Sequence, residues 1–170
     1  PVALMDGGYL TAMRTGGVAG LATQLLARKN AEVHTLFGTG GMATTHAWAV
    51  DCARDIKKLV LFSIDSKEKR EAFRDSLKDK VSCEIVLADD PAKAVEQADI
   101  VTLITSAKDP IVDGDWFTPG THINGVGSHA PAMRELDTKT VQRSKVICDL
   151  VDDCQTEACD FMIPVDKGER

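Results

Sequence analysis

The residues of this chain whose types and spacing suit chemistry begin with Gly38, Gly40 and Ala43, in the stretch VHTLFGTGGMA from Val33 to Ala43. A short apolar run ends there in a glycine-rich turn, and an alanine-rich segment compatible with a helix follows at once. The small residues fit the pattern G-x-G-x-x-G/A, in which each has a steric task. Gly38 permits a sharp turn. Gly40 permits the backbone N–H groups of the loop formed by Gly38, Thr39, Gly40, Gly41 and Met42 to approach a pyrophosphate. Ala43 lets the helix pack closely on its strand. The unpaired N–H groups at a helix start, with the aligned peptide dipoles behind them, favour negative charge. Taken alone, the same residues also describe an ordinary turn between a strand and a helix, so their setting has to decide.

Three further groups are candidates. Arg14 falls in the first turn of a helix capped by Thr11, where the dipole disfavours a cation; an ion pair with a nearby carboxylate or a bound anion would each account for it. Asp65 lies near the position, about 20 residues beyond the glycines, where an acidic group meets a ribose, and it reads equally as a helix cap. Ser63 occupies the strand end itself, with Lys67, Lys69 and Arg70 close by, so both a free ribose hydroxyl and a 2'-phosphate are admissible. His129, after Gly127 and Ser128 in a loop, is an imidazole that can exchange a proton near neutral pH, or a plain surface residue.

The elements that must position these groups follow from periodicity. A helix runs from Thr11 to about Arg28, with Val18, Leu21, Ala22, Leu25 and Leu26 as its buried face. Gly16, Gly17 and Gly20 weaken it by about 1 kcal/mol each relative to Ala, which implies close packing against its backbone. Strands are expected at 33–37, 58–63, 83–88, 99–105 and 121–127, then at KVICDL (145–150) and DFMIPV (160–165). Helices lie between them, at 43–53, from Ser66, from Asp90 with Pro91, and from Asp137 to Arg143. The KEKR run reads as a solvated face. Apolar strands alternating with helices give an α/β fold with a doubly wound parallel sheet. Ligands of such a sheet bind beyond the carboxyl ends of the strands, which are Gly38 to Met42, Ser63 to Ser66, Thr105 to Asp109 and Asn124 to His129.

Composition bounds the rest. A chain of 170 residues, 44% hydrophobic and 27% charged, fits one domain. A net charge of -6 offers no basic surface for nucleic acid or an acidic membrane, and the apolar runs are strand-sized. Five cysteines without a CxxC pair suit reduced thiols and a cytoplasmic setting. The four histidines lack ligand spacing, so no metal site is expected. The chain begins at Pro1 without an initiator Met, and reads as the central part of a longer two-domain protein, with residues 1–28 as a lead-in helix.

Four blocks, ALMDGGYLTAMRTGGVAGLAT, FGTGGMA, AVEQADIV and PGTHINGVGSHAPAMREL, resemble the ornithine cyclodeaminase and mu-crystallin family in order and spacing. The resemblance implies a Rossmann-type domain binding NAD or NADP, in a parent that forms homodimers. It makes Arg14, in the RT motif, the holder of the substrate carboxylate. Gly38, Thr39, Gly40, Gly41 and Met42 become the pyrophosphate loop, and Ser63 to Asp65 the ribose-selecting position. Thr105 and Ser106 border the cofactor, and Val126 and Gly127 lie near the nicotinamide. The family's lysine and glutamate at the substrate lie upstream of the RT motif. Where ornithine cyclodeaminases carry an aspartate this chain reads GSHAP, which puts Ser128 and His129 at the catalytic position. The implied activity is conversion of ornithine to proline and ammonia by internal hydride transfer. The alternatives are an alanine dehydrogenase, a cyclic ketimine reductase acting on an amino or imino acid, and a mu-crystallin-like carrier of NADPH and a ligand.

Overall fold

The computed structural model describes residues 2–130 and 132–169. Five strands, β1 (Val33–Phe37), β2 (Lys58–Phe62), β3 (Glu84–Leu87), β4 (Ile100–Leu103) and β5 (His122–Gly125), form one parallel sheet in the order β3-β2-β1-β4-β5. The helices are α1 (Gly7–Leu26), α2 (Ala43–Ala53), α3 (Lys67–Leu77), α4 (Pro91–Glu96), α5 (Thr138–Arg143), α6 (Val151–Glu157) and α7 (Cys159–Asp166). From β1 the chain steps outward to β2 and β3, then returns to the other side of β1 as β4. Strand order therefore reverses between β1 and β4, as a doubly wound sheet requires.

The central strands are apolar on both faces because both are covered. Leu36 of β1 packs with Ala43 and Ala47 of α2 and with Leu59 and Leu61. Its neighbour Phe37 points the other way, into a cluster with Val95, Ala98, Val101 and Leu103. The expected caps are in place: Ser66 accepts from the Lys69 N–H, Asp90 from the Ala92 N–H before Pro91, and Asp137 from the Thr140 N–H.

Expectations for three segments fail. The first helix begins at Gly7, where Asp6 accepts from the Gly8 N–H, so Thr11 is no cap and Arg14 sits two turns in. Its buried face is the small one: Ala12, Gly16, Ala19, Gly20 and Thr23 are buried, whereas Val18, Leu21, Leu25 and Leu26 are exposed. A Cβ on Gly16 would lie 2.9 Å from the Thr45 carbonyl oxygen, and one on Gly20 3.0 Å from that of Ala49. The helices thus run side by side in the same direction at near-backbone contact, which places Arg14 level with the start of α2. The other two failures are strands. Residues 145–150 form neither strand nor helix, and DFMIPV is helical, within α7. Short apolar runs do not distinguish a strand from a buried helical turn, and here Asp160, buried in the run, holds the segment beneath the loop that follows β5.

Among the described residues no helix is long and apolar enough to cross a membrane, and no group of three or more His, Cys, Asp or Glu is placed to hold a metal ion.

Candidate functional site

The loops at the carboxyl ends of β1, β2, β4 and β5 come together on one edge of the sheet. Gly38 has φ of +107°, and a Cβ there would meet the Ile104 carbonyl oxygen at 2.7 Å. Only glycine suits that backbone and that approach. The Gly38 N–H donates to the Phe62 carbonyl (2.9 Å), carrying the sheet ladder to the first residue of the loop. Gly40 and Gly41 differ from Gly38: both are exposed, and a Cβ on either would have no neighbour within 4 Å. The space above them is open. α2 then starts at Met42 with no side-chain cap and no acidic residue in its first turn. An uncapped helix start beneath an open glycine pair is a cradle for an anion such as a diphosphate.

Beside it, Asp65 gathers three donors. The Ser63 hydroxyl donates to its carboxylate at 2.8 Å and the Lys69 ammonium at 2.6 Å, and the Thr39 hydroxyl also donates. Lys69 foremost, then the two hydroxyls, holds the carboxyl well below the usual carboxylate range. Asp65 is no helix cap, since Ser66 caps α3. Of the nearby cations, Lys69 is committed to Asp65, and Arg70 to Asp89 and the Ala88 carbonyl. The loop after β2 therefore presents a bound, ionised carboxylate.

Across the strand-order reversal, Thr105 and Gly127 lie just beyond the ends of β4 and β5, and Ser106 is exposed next to Thr105. The Val126 N–H donates to the Leu103 carbonyl (3.0 Å). Fully buried Glu135 joins the two ends: its Oε1 accepts from the Thr105 N–H (2.6 Å) and hydroxyl (2.7 Å), and its Oε2 from the Gly127 N–H (2.7 Å). Burial pushes the carboxyl up to about 7 against these three donors. Asp160 supports it from α7, accepting from the Glu135 N–H (2.8 Å) and the Leu136 N–H (2.9 Å). Neither acid is among the residues expected from the sequence, because glutamate in a polar block reads as solvated.

His129 is exposed in the loop after Gly127. The Ser128 hydroxyl is engaged twice, donating to the Met133 carbonyl (2.8 Å) and accepting from the Asp160 N–H (3.1 Å). Arg14 is exposed, and among the described residues it makes no ion pair.

The family model described as ornithine cyclodeaminase/mu-crystallin matches residues 1–160. The chain belongs to that family. A Δ1-pyrroline-2-carboxylate reductase of Bacillus cereus is 36% identical over 169 residues, which are 99% of this chain and 51% of the reductase. The structure of the Thermococcus litoralis Δ1-pyrroline-2-carboxylate reductase in complex with NADH and L-proline superposes with a TM-score of 0.94 and 38% identity, over 99% of this chain and 52% of that one. An archaeal alanine dehydrogenase dimer with bound NAD gives 0.88 and 27%, over all of this chain and 52% of that one. The chain thus spans about half the length of the relatives it matches. The Thermococcus litoralis reductase and the archaeal alanine dehydrogenase are oxidoreductases whose structures hold NADH and NAD.

Proposed function

We propose that this chain is the dinucleotide-binding part of an NADH-dependent reductase of cyclic imino acids, with Δ1-pyrroline-2-carboxylate, which yields proline, as the first substrate to test. The observation that carries the reading is the open cradle of Gly40, Gly41 and the uncapped start of α2, within a fold that matches a reductase holding NADH and L-proline. Reduction of the cyclic imine fits this likeness better than ornithine cyclodeamination does.

Gly38 to Met42 would hold the diphosphate. Ser63 and Asp65 would face the adenosine ribose. Thr105, Ser106, Val126 and Gly127 would border the nicotinamide end. When bound, the cofactor supplies the hydride that adds to the carbon of the C=N bond. The remaining requirements fall to side chains. Arg14, which has no carboxylate partner among the described residues, pairs with the substrate carboxylate and fixes the ring. His129, exposed at the β5 loop, holds the proton that completes the amine nitrogen, so one hydride and one proton convert imine to amine. Ser128 orients that loop through Met133 and Asp160. Asp65 favours NADH, because a 2'-phosphate would meet an ionised carboxylate whose cation is already engaged. The parent is proposed to be a homodimer.

The test is a titration of the chain with NADH and NADPH, followed by nicotinamide fluorescence, and an assay of the full-length parent with Δ1-pyrroline-2-carboxylate. The expected outcome is saturable binding with NADH at least tenfold tighter, on the order of one charge-charge repulsion near a surface, and loss of NADH absorbance on addition of the imine. Binding without turnover of cyclic imines, ornithine or pyruvate plus ammonia would favour a carrier of the mu-crystallin kind.

A further inference from the structure

Gly127 is small for an unusual reason. Its φ is not positive, yet a Cβ there would lie 2.4 Å from the Glu135 carboxyl carbon and 2.3 Å from the Thr105 carbonyl oxygen. The glycine makes room for a carboxylate. Among the described residues no cation is bonded to that carboxylate; three N–H and O–H donors from two different strand ends converge on it. Its own backbone is fixed from behind, the N–H on Asp160 and the carbonyl accepting from the Ile111 N–H (2.9 Å). A group so held does not reach solvent or substrate, but it determines where Thr105 and Gly127 stand.

We propose that Glu135 is a positioning residue for the dinucleotide, clamping the ends of β4 and β5 so that the loops carrying Thr105, Ser106, Val126 and Gly127 keep one spacing. The inference rests on the reading that a dinucleotide crosses these strand ends. The charged group that faces Glu135 is Asp160 on α7, and Arg134 lies within electrostatic reach of Asp160; both Thr105 and Gly127 present only uncharged groups. A proton on Glu135 removes an acceptor from a pocket of donors, and the clamp loosens. Because burial brings this carboxyl up to about 7, cofactor affinity should change across neutral pH.

The experiment is NADH titration of the wild-type chain, E135Q and E135D from pH 6 to 8.5, with a thermal melt of each. For the wild type, the dissociation constant is expected to rise about tenfold as pH falls through 7, the scale of one lost buried hydrogen bond. E135Q, with an amide facing donors, should bind about tenfold more weakly at high pH and show no pH dependence. E135D keeps the charge but is one methylene short, and should bind more weakly with the pH dependence intact. Wild-type affinity and pH profile in folded E135Q overturn the clamp while leaving the cofactor reading in place. If E135Q does not fold, wild-type affinity in E135D overturns it instead. Absence of NADH binding by the wild type at every pH overturns both.

Discussion

A side chain added at position 38 and one added at position 40 should do different things. At Gly38 the backbone lies in the left-handed region and a Cβ would stand 2.7 Å from the Ile104 carbonyl oxygen, so Gly38→Ala should destabilise the fold by about 1–3 kcal/mol. At Gly40 nothing stands within 4 Å, so Gly40→Val should leave the melting temperature nearly unchanged and abolish NADH binding by filling the cradle. Melts and fluorescence titrations of both variants separate the two roles; undiminished affinity in Gly40→Val would remove the phosphate-loop assignment. Residue types at this scale were partly readable. The glycines declare themselves because few other residues suit such a turn. Glu135 and Asp160 do not, since a carboxylate is recognised as buried only when its donors are known, and these, Thr105 and Gly127 for Glu135 and the Glu135 and Leu136 N–H groups for Asp160, lie 8 to 30 residues away along the chain.

At the scale of elements, α1 is held by what it lacks. Gly16 and Gly20 lie against the Thr45 and Ala49 carbonyls, while Gly17 faces open space. Gly16→Val should therefore force α1 away from α2 at a cost of about 1–3 kcal/mol, whereas Gly17→Ala should raise stability by up to about 1 kcal/mol through helix propensity alone. Equal melting temperatures for the two variants would refute close helix packing here. Five strands and the capped helices α3, α4 and α5 follow from apolar runs and Ser66, Asp90 and Asp137, because those signals are local. The face that α1 buries does not follow: leucines at helical spacing suggest a core, but small residues admit a nearer neighbour, and proximity won. The terminal runs failed for a related reason. Among the described residues, 145–150 pair with no strand, and 160–165 are helical, with Asp160 buried in the first turn of α7.

Across the whole molecule, titration should shape stability. Burial first, then neighbouring His46 and His122, lowers the pKa of His34 to about 3, and burial lowers those of His46 and His122. His46 donates from Nδ1 to the Met42 carbonyl, and its buried Nε2 has no partner among the described residues. Unfolded, these imidazoles take up protons near 6.5; folded, each takes one up less readily, and His34 stays neutral down to about 3. The unfolded state then binds more protons, so stability is complete above about 6.5 and falls as pH drops toward 3, by at most about 1.4 kcal/mol per pH unit for each histidine. Glu135 acts in the opposite sense. Its raised pKa means the folded state holds the extra proton, so its contribution is present below about 4.5 and lost as pH rises through 7. His34 and Glu135 thus oppose each other between pH 5 and 6.5, so the melting temperature of His34→Gln, freed of the histidine contribution, should climb less steeply across that range than that of the wild type; identical slopes would contradict the buried neutral imidazole of His34.

The rim of the sheet is stitched by oxygen atoms of the chain itself. Asp65 draws Thr39 and Ser63 together on one side, and Glu135 draws Thr105 and Gly127 together on the other. Loops of this kind usually surrender conformational freedom when a ligand binds. Here most of that ordering is completed during folding, so association should carry little entropic loss from the protein, and affinity is governed by how well a molecule matches a shape already set.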